Sequence, residues 1–405
     1  MFTQDKIETL LIVNKFLALN RGYVEDAVFG AYKSLGLDKY LINPKTTREI
    51  SESLNSNELF MSRFLNAASS LGLITKTGHD SWIKVQKDFI AIPWSELHNI
   101  FLNIESSWVS KLSARAVDLL IDLEILVEDN GKVALNDQVD SYFEPEAINF
   151  LGPLIQSYHK NSVPNITSGV LVEILKNNPN SRRVKPFSGG GWEPKALESF
   201  MLAMHFTTVT ESSYLIDLLK VENKSYRVLD VGGGLGTSSR GFLTSSNPAN
   251  STVIYDRASS IPLFQKLHRA SHPNLREKTE FVGGDFFISN SENGLSGLDQ
   301  NELFEYITLG WILHDWDDEQ CLGILRRLIS HLKPDGKLCL FECVLPDSKV
   351  GQVSLLDITM LIQTDGKERT LIEYSELAGK IGLILEQVID INARRQMLVF
   401  SRSSC

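Results

Sequence analysis

One short segment, RVLDVGGGLGTSSR at residues 227–240, constrains the fold more than any other part of the sequence. Five residues with the character of a buried strand run directly into a glycine-rich turn, and a helix-forming segment follows. Glycine lets the backbone approach a ligand closely, and turns of this kind lie at the carboxyl ends of strands in open α/β sheets, where nucleotides bind. The segment therefore predicts the first strand, turn and helix of a sheet that binds a nucleotide-like ligand.

The spacing of the glycines separates two kinds of ligand. A dinucleotide-binding turn has the form GxGxxG with a small third residue, but counted from Gly232 and Gly234 that position holds Thr237. Asp230 instead precedes the first glycine by two residues, which gives the form DxGxG. An acidic residue beside bare backbone suits an ammonium-bearing amino acid moiety better than a pyrophosphate. The pattern therefore favours S-adenosylmethionine as the cofactor.

After about residue 196, short β-rich runs alternate with helical stretches. The runs are RVLDV, STVIYD, TEFVGGD, FEYITLG, GKLCLFECV, LILEQVIDI and QMLVFSRS. Such alternation is typical of a parallel sheet with helices on both faces. The last two runs are separated only by residues 392–395, too few for a crossover helix, so the final strand is expected to be antiparallel. The sequence predicts an α/β, Rossmann-like domain over residues 196–405, with a mostly parallel sheet.

Acidic residues end the next two predicted strands. Asp256 closes the second strand, where its carboxylate could accept both ribose hydroxyls; a solvated strand-end carboxylate would explain it equally well if it stood alone. Asp285 closes the third strand, placed to accept a hydrogen bond from the adenine amino group while Phe286 covers the ring. Three such features in chain order predict a cofactor cleft at the carboxyl edge of the sheet.

Residues 1–195 have a mainly helical pattern. The segment TTREISESLNSNELFMSRFLNAASSLGLI predicts two short helices separated by a turn at residues 55–57, and EDNGKVAL predicts a small hairpin that follows a periodic stretch, Leu112 to Leu126. A loop is predicted at residues 181–194. These patterns indicate one or two winged-helix-like units, with a role in dimerisation and in part of the substrate pocket. DNA recognition is disfavoured because the second helix offers only Arg63 as a cation.

The net charge and the composition of the sequence exclude several classes of binding partner. A net charge of −10 would repel phosphate backbones and anionic lipid, so neither nucleic acid nor a membrane is an expected partner. No window approaches the roughly 18 continuous apolar residues of a membrane helix, and the first 17 residues lack the pattern of an export signal. The four cysteines form no CxxC pair, which argues against a disulfide scaffold or a zinc site. We expect a cytoplasmic protein that holds no metal.

Three further motifs carry a family resemblance. WILHDWDDEQ, GKLCLFECVLP and DGKERT follow the glycine turn in that order, within residues 227–376. They resemble the motifs of the small-molecule O-methyltransferases typified by caffeic acid and acetylserotonin O-methyltransferases, and the resemblance covers about residues 196–405. It implies a homodimeric enzyme that methylates a hydroxyl of a small, secondary-metabolite substrate with S-adenosylmethionine.

The resemblance also assigns roles to individual residues. His314 looks like the general base, with Glu342 and Glu368 as the two carboxylates that flank it. Trp316 looks like a wall against the adenine, near Gly310, where family members often carry Lys or Arg. The substrate-lining positions of the family correspond to Phe200, Met204, Trp311 and Met360.

A base at His314 also makes sense chemically, because an imidazole with a pKa near 6.5 can accept a proton at neutral pH. His205 has no comparable motif around it, and we interpret it as structural. The acidic residues Asp315, Asp317, Asp318 and Glu319 are interpreted as the solvated first turn of the next helix rather than as metal ligands.

Three alternatives remain open at the level of sequence. The same fold could methylate nitrogen, carbon or a carboxylate, since those acceptors leave the cofactor motifs intact. A relative that binds S-adenosylmethionine without transferring the methyl group is a second alternative. A DNA-binding regulator with a cofactor-sensing domain is the third.

Overall fold

A computed structural model describes residues 22–85, 121, 126–129, 132–137, 166–176, scattered positions between 197 and 221, and residues 225–403 apart from 272, 290–293 and 392–393. The chain divides into two compact units, Met1–Phe206 and Thr207–Cys405. The domain boundary predicted at residues 195/196 stays a prediction. The predicted loop at 181–194 and most of the periodic stretch from Leu112 to Leu126 lie outside the described residues.

The first unit contains helices joined to small antiparallel sheets. Its described helices are α1 Gly22–Ser34, α2 Leu37–Tyr40, α3 Thr47–Leu54, α4 Glu58–Ser70 and α5 Ser168–Leu175. Its described strands are β1 Lys45–Thr46, β2 Ile74–Lys76, β3 Ser81–Lys84, β4 Leu126–Asp129 and β5 Lys132–Leu135. The first three form an antiparallel sheet in the order β1-β3-β2, and β4 pairs with β5 as an antiparallel hairpin. The hairpin predicted from EDNGKVAL is thus confirmed.

The two helices predicted on either side of residues 55–57 are also confirmed, and local hydrogen bonds explain their limits. Thr46 and Glu49 form a capping box at the start of α3, and the side chain of Asn57 accepts a hydrogen bond from the backbone N–H of Phe60 at the start of α4. Asn55 adopts a left-handed conformation (φ 48°) that ends α3. Two capping signals two residues apart, at Asn55 and Asn57, therefore break one helical pattern into two helices.

The second unit is built on strands that alternate with helices. The strands are β6 Arg227–Val231, β7 Ser251–Asp256, β8 Thr279–Gly283, β9 Phe304–Gly310, β10 Leu332–Leu345, β11 Arg369–Thr370, β12 Leu383–Asp390 and β13 Arg395–Arg402. The helices are α6 Thr237–Thr244, α7 Ile261–Ser271, α8 Asp318–Ile329, α9 Gln352–Gln363 and α10 Leu371–Gly379, with short 3-10 helices at Pro273–Lys278 and Leu313–Asp315.

The main sheet has the order β12-β13-β10-β9-β6-β7-β8, and β11 pairs with the end of β10. Strands β6 to β10 are parallel to one another, whereas β13 is antiparallel to both β10 and β12. This confirms the predicted mostly parallel sheet with an antiparallel final strand. After β6 the chain forms β7 and β8 on one side of β6, and it then crosses over to form β9 on the opposite side of β6. The carboxyl ends of β6 and β9 therefore meet where the strand order reverses, which is where open α/β sheets bind ligands.

A continuous apolar core supports this edge of the sheet. Ile307 and Leu309 of β9 are fully buried and belong to one cluster with Ile324 and Leu328 of α8 and Leu229 of β6. Burial of each such side chain contributes about 1.5–3 kcal/mol. Within the described residues, no helix is long and apolar enough to cross a membrane.

Candidate active site

The backbone conformation of the turn between β6 and α6 favours glycine at three positions. Gly232, Gly234 and Gly236 have φ values of 65°, 51° and 74°, a region that side-chain-bearing residues rarely adopt. A Cβ atom on Gly232 would overlap the side chain of Ile312, and one on Gly236 would overlap that of Ile254. The turn therefore presents bare backbone at the carboxyl end of β6.

Asp230 is buried and its carboxylate is engaged by the protein. Oδ2 accepts hydrogen bonds from the backbone N–H (3.1 Å) and the hydroxyl (2.9 Å) of Ser239, and Oδ1 accepts one from the Thr308 hydroxyl at 2.8 Å. Burial raises the pKa of Asp230, although these hydrogen bonds oppose the shift. The carboxylate thus ties α6 to β9 and fixes the glycine turn that precedes the helix.

The other two strand-end carboxylates lie close to the turn in the sheet. Asp256 ends β7, where its Oδ2 accepts a hydrogen bond from the backbone N–H of Gly234 at 3.0 Å. Burial raises its pKa. Asp285 follows β8, and its Oδ1 accepts from the backbone N–H of Phe287 at 2.8 Å. Because Asp256 pairs with Gly283 across the parallel strands, both carboxylates lie at the same edge of the sheet.

Three aromatic rings cluster beside this edge. The predicted pair Phe286 and Trp316 is brought together in an edge arrangement with ring centroids 6.0 Å apart. Phe287 fills the space between them, 4.8 Å from Phe286 and 4.6 Å from Trp316. Sequence reasoning did not single out Phe287, although the doubled phenylalanine after Asp285 was a visible signal.

Gly310, at the end of β9, differs from the glycines of the turn. A Cβ atom there would find only Phe341 and Ser238, each at 3.8 Å, which is ordinary van der Waals distance. Glycine is therefore not sterically required at this position, which accepts a Cβ atom at ordinary contact distances.

His314 lies on the short 3-10 helix that follows β9, and both it and its partner Glu368 are buried. Its Nδ1 is 3.0 Å from Oε1 of Glu368, while Nε2 is 3.8 Å from Oδ1 of Asp315. A carboxylate on Nδ1 fixes the orientation of the ring and leaves Nε2 as the nitrogen for proton transfer.

Glu342 reaches the same turn from β10 but holds its backbone instead of the imidazole. Its Oε1 accepts hydrogen bonds from the backbone N–H groups of Leu313 (3.0 Å) and Ile312 (3.3 Å). Its Oε2 has no hydrogen-bond partner among the described residues. The two glutamates that were predicted to flank His314 thus have different contacts: Glu368 pairs with the ring, and Glu342 anchors the turn.

The buried ionisable groups around His314 shift one another's pKa values. Burial, the largest influence, lowers the pKa of His314, but the charges of Glu368, Asp315 and Glu342 outweigh it and raise the pKa to about 10. Burial raises the pKa of Glu342 to about 7 and that of Asp315 to about 6, in each case against the charge of His314. The cluster therefore favours a protonated imidazole at neutral pH.

The prediction of a solvated acidic run at residues 315–319 was wrong for Asp315, which is buried beside the imidazole. Asp315 differs from the acidic residues after it because helix α8 begins only at Asp318, with Asp317 as its N-cap. Asp315 precedes the helix and belongs to the 3-10 turn. Among the described residues, no group of three or more His, Cys, Asp or Glu side chains is arranged to hold a metal ion.

The predicted substrate-lining residues fall in both units. Trp311 follows β9 in a left-handed conformation (φ 57°), an uncommon state for a bulky residue. Its ring lies 5.8 Å from that of His314 and 5.4 Å from the guanidinium of Arg395. Met360 is half-buried on α9. Phe200 and Met204 have helical backbone in the first unit, and their role in a substrate pocket stays a prediction.

The sheet order and the glycine turn define a protein with the α/β fold of the methyltransferase class. The chain belongs to the family of proteins with an O-methyltransferase domain, whose model matches residues 182–384.

Curated relatives agree with this family. The chain is 32% identical over 211 residues to O-methyltransferase 12 of Dictyostelium discoideum, a match that covers 51% of this chain and 53% of that protein. It is 34% identical over 166 residues to acetylserotonin O-methyltransferase of Gallus gallus, covering 40% and 43% of the two chains. The chain thus spans about half the length of these relatives.

Solved structures extend the likeness of fold along the chain. An O-methyltransferase family 2 protein from Planctomyces limnophilus, solved in complex with apigenin, gives a TM-score of 0.58 at 15% identity and covers 99% of this chain and 98% of its own. Human N-acetylserotonin methyltransferase, solved in complex with S-adenosylmethionine, gives 0.54 at 16% identity and covers 97% of each. At such identities the likeness concerns the fold alone.

Proposed function

We propose that this protein transfers the methyl group of S-adenosylmethionine to a hydroxyl oxygen of a small molecule, of the kind found in secondary metabolism, with His314 as the general base. The observation that carries the proposal is the buried Nδ1–Glu368 pair, which leaves Nε2 of His314 as the proton acceptor on a turn that follows β9. Relatives that support a hydroxyl acceptor include a catechol O-methyltransferase of Solanum lycopersicum, 32% identical over 197 residues.

The residues at the carboxyl edge of the sheet suit the cofactor. Gly232, Gly234 and Gly236 leave the turn without side chains and with positive φ, which allows the close approach of a ligand to the backbone. Asp256 and Asp285 present carboxylates that can accept hydrogen bonds from ribose hydroxyls and from an adenine amino group. Phe286 offers an aromatic surface beside them. Asp230 would act through the turn that it holds in place.

Bound S-adenosylmethionine supplies an electrophilic methyl carbon attached to a positively charged sulfur. The protein has to orient the acceptor hydroxyl and remove one proton. Nε2 of His314 takes the hydroxyl proton as the oxygen forms its new bond to carbon, and Glu368 stabilises the resulting imidazolium through Nδ1. The products are a methyl ether, neutral S-adenosylhomocysteine and a proton that passes from His314 to solvent.

Because the surrounding carboxylates favour the protonated imidazole, this mechanism has a pH requirement. His314 accepts a proton only in its neutral form, so turnover should rise with pH above the ordinary histidine range. Three carboxyl groups act on the ring: Glu368, from the loop before β11, and Asp315, from the same turn, lie beside its nitrogens, and Glu342 of β10 acts through its charge.

The proposal also includes a winged-helix-like unit in the first part of the chain and a homodimeric assembly. Helices α3 and α4 are preceded by β1 and followed by β2 and β3, which form one antiparallel sheet, and this arrangement supports a winged-helix-like unit. We expect this unit to serve a homodimer. A monomer in sedimentation velocity at micromolar concentration with full activity would contradict the dimer. The cytoplasmic location stays a prediction of the sequence.

The test is a screen of phenolic and metabolite extracts with isotopically labelled cofactor, followed by mass spectrometry of the labelled product. With the acceptor identified, His314→Ala should lower turnover about 10²–10⁴-fold, the usual worth of a general base, while cofactor affinity changes little. His79→Ala, at an exposed position, is the matched control. Wild-type turnover in His314→Ala, or a label found only on nitrogen or carbon, would refute the proposal.

A further inference from the structure

Two backbone carbonyl groups of the turn that carries His314, those of Leu313 and Trp316, accept hydrogen bonds from outside the turn, because a single helical turn leaves most of its carbonyl capacity unused. Arg369 donates to both of them: Nη1 lies 2.8 Å from the carbonyl oxygen of Leu313, and Nη2 lies 2.8 Å from that of Trp316. These two residues bracket His314 and Asp315. One guanidinium group therefore spans the part of the backbone that bears the imidazole.

The rest of the guanidinium group is held as well. Nε and Nη2 donate to Oδ1 of Asp318 at 3.0 and 2.8 Å, on the first turn of α8. The Arg369 side chain is fully buried, whereas Asp318 is about half exposed. A planar group with donors in fixed directions can serve two carbonyls and a carboxylate at once, and a lysine ammonium cannot reproduce this arrangement.

Arg369 directly follows Glu368, the residue that pairs with Nδ1 of His314. A single short segment thus supplies both the carboxylate that orients the ring and the cation that holds the backbone beneath the ring. On the opposite side of the same turn, Glu342 accepts from the N–H groups of Ile312 and Leu313. The N–H groups and the carbonyl groups of the turn are therefore fixed by side chains from different strands.

We propose that Arg369 is a positioning residue, which sets the place of the His314 turn relative to Glu368 and so maintains the hydrogen bond between Nδ1 and that carboxylate. The inference rests on the proposed function only for its catalytic consequence. The positioning itself can be measured without a substrate.

The experiment follows the imidazole of His314 by NMR in the full-length, ¹⁵N-histidine-labelled protein, with His314→Ala used to assign the resonance. The wild-type protein should show an exchange-protected Nδ1–H resonance and a titration well above the ordinary histidine range. In Arg369→Met the resonance should be lost or broadened, and the apparent pKa of His314 should fall by about one unit or more.

Lys367→Met is the matched control. Lys367 is two residues away and also lies near Asp318, with Nζ at 3.5 Å from Oδ2, but its second ion pair is with Glu373, at 3.5 Å, and not with the carbonyl groups of the turn. This variant should keep the wild-type resonance and titration. If Arg369→Met does not fold, Arg369→Lys serves in its place, with a shift in the same direction.

An unchanged His314 resonance and titration in a folded Arg369 variant would overturn the positioning role. That result would leave the proposed methyl transfer untouched, because the NMR measurement needs no acceptor. With the acceptor in hand, Arg369→Met should lower kcat about 10–100-fold in the wild-type background and have little further effect when combined with His314→Ala. A further loss equal to that in the wild-type background would indicate a general structural defect and would count against the proposal.

Discussion

Gly366→Ala should displace the His314 turn, because Gly366 packs directly against its backbone. A Cβ atom at this position would lie 2.5 Å from both the carbonyl carbon of Asp315 and the backbone nitrogen of Trp316, and closer still to the carbonyl oxygen of His314. A distance of 2.5 Å is about 0.9 Å short of ordinary van der Waals contact at 3.4 Å. Since all three atoms are backbone, no side chain can rotate away. The turn or the loop must therefore move by at least about 0.9 Å.

A displacement of this size has two measurable consequences. Misplacement of a catalytic group by about 1 Å can cost about 10²-fold in rate, so turnover by Gly366→Ala should fall by about that factor. Overpacking costs typically about 1–3 kcal/mol of stability, which lowers the melting temperature by roughly 2–4 °C per kcal/mol for a unit of this size. Both quantities follow from the same backbone contact.

The assay compares labelled methyl transfer and thermal unfolding for the wild type, Gly366→Ala and Gly379→Ala. Gly379 ends helix α10, and a Cβ atom there would have no neighbour within 4 Å, so the same substitution should leave both quantities near wild type. If Gly366→Ala keeps both wild-type turnover and wild-type melting temperature, the close packing of this loop on the His314 turn is wrong.

The remaining predictions concern the cofactor edge and the titration of the base. Asp256→Ala should weaken binding of S-adenosylmethionine about tenfold or more in calorimetry, because one or two charge-assisted hydrogen bonds are lost; unchanged affinity would remove Asp256 from the site. Turnover should rise with pH in the alkaline range, since the pKa of His314 is raised to about 10, and Glu368→Gln should move this limb to lower pH; a limb near pH 6.5 in both proteins would contradict the ion pair. The raised pKa also means that His314 stabilises the fold fully below about pH 6.5 and that this contribution is lost as pH rises through about 10. Thr308→Val should cost about 1–3 kcal/mol in chemical denaturation, because it removes a hydrogen bond from the buried carboxylate of Asp230; a free energy of unfolding equal to that of the wild type would show that the contact is dispensable.

The sheet could be predicted from sequence because its determinants are local. Each buried strand is a short apolar run, and the separation of the last two runs by residues 392–395 decides the direction of β13 without any tertiary information. The glycine turn could likewise be identified, because a positive φ and a close approach to the backbone both favour glycine at these positions. The predictions for His314 and Glu368 depended on motif resemblance, because 54 positions separate the two partners in the chain.

What the sequence could not supply was the direction of individual side chains around the turn. Asp315 sits in a run of acidic residues that resembles a solvated helix start, and only the length of the 3-10 turn decides that it faces inward. Arginine is usually found at the surface, and the burial of Arg369 depends on two carbonyl groups more than 50 residues away in the chain. Hydrogen bonds to backbone carbonyls leave no trace in the types of the residues that accept them.

The position of β13 has a consequence for how the chain acquires its structure during synthesis. This strand lies between β10 and β12, so residues 395–402 complete the hydrogen bonding of a strand in the interior of the sheet. Until they have been synthesised, β10 presents an unpaired edge, and such edges recruit other chains. A chain truncated before residue 395 should therefore aggregate instead of forming a smaller stable sheet, and a nascent chain has to shield β10 until its last strand has been made.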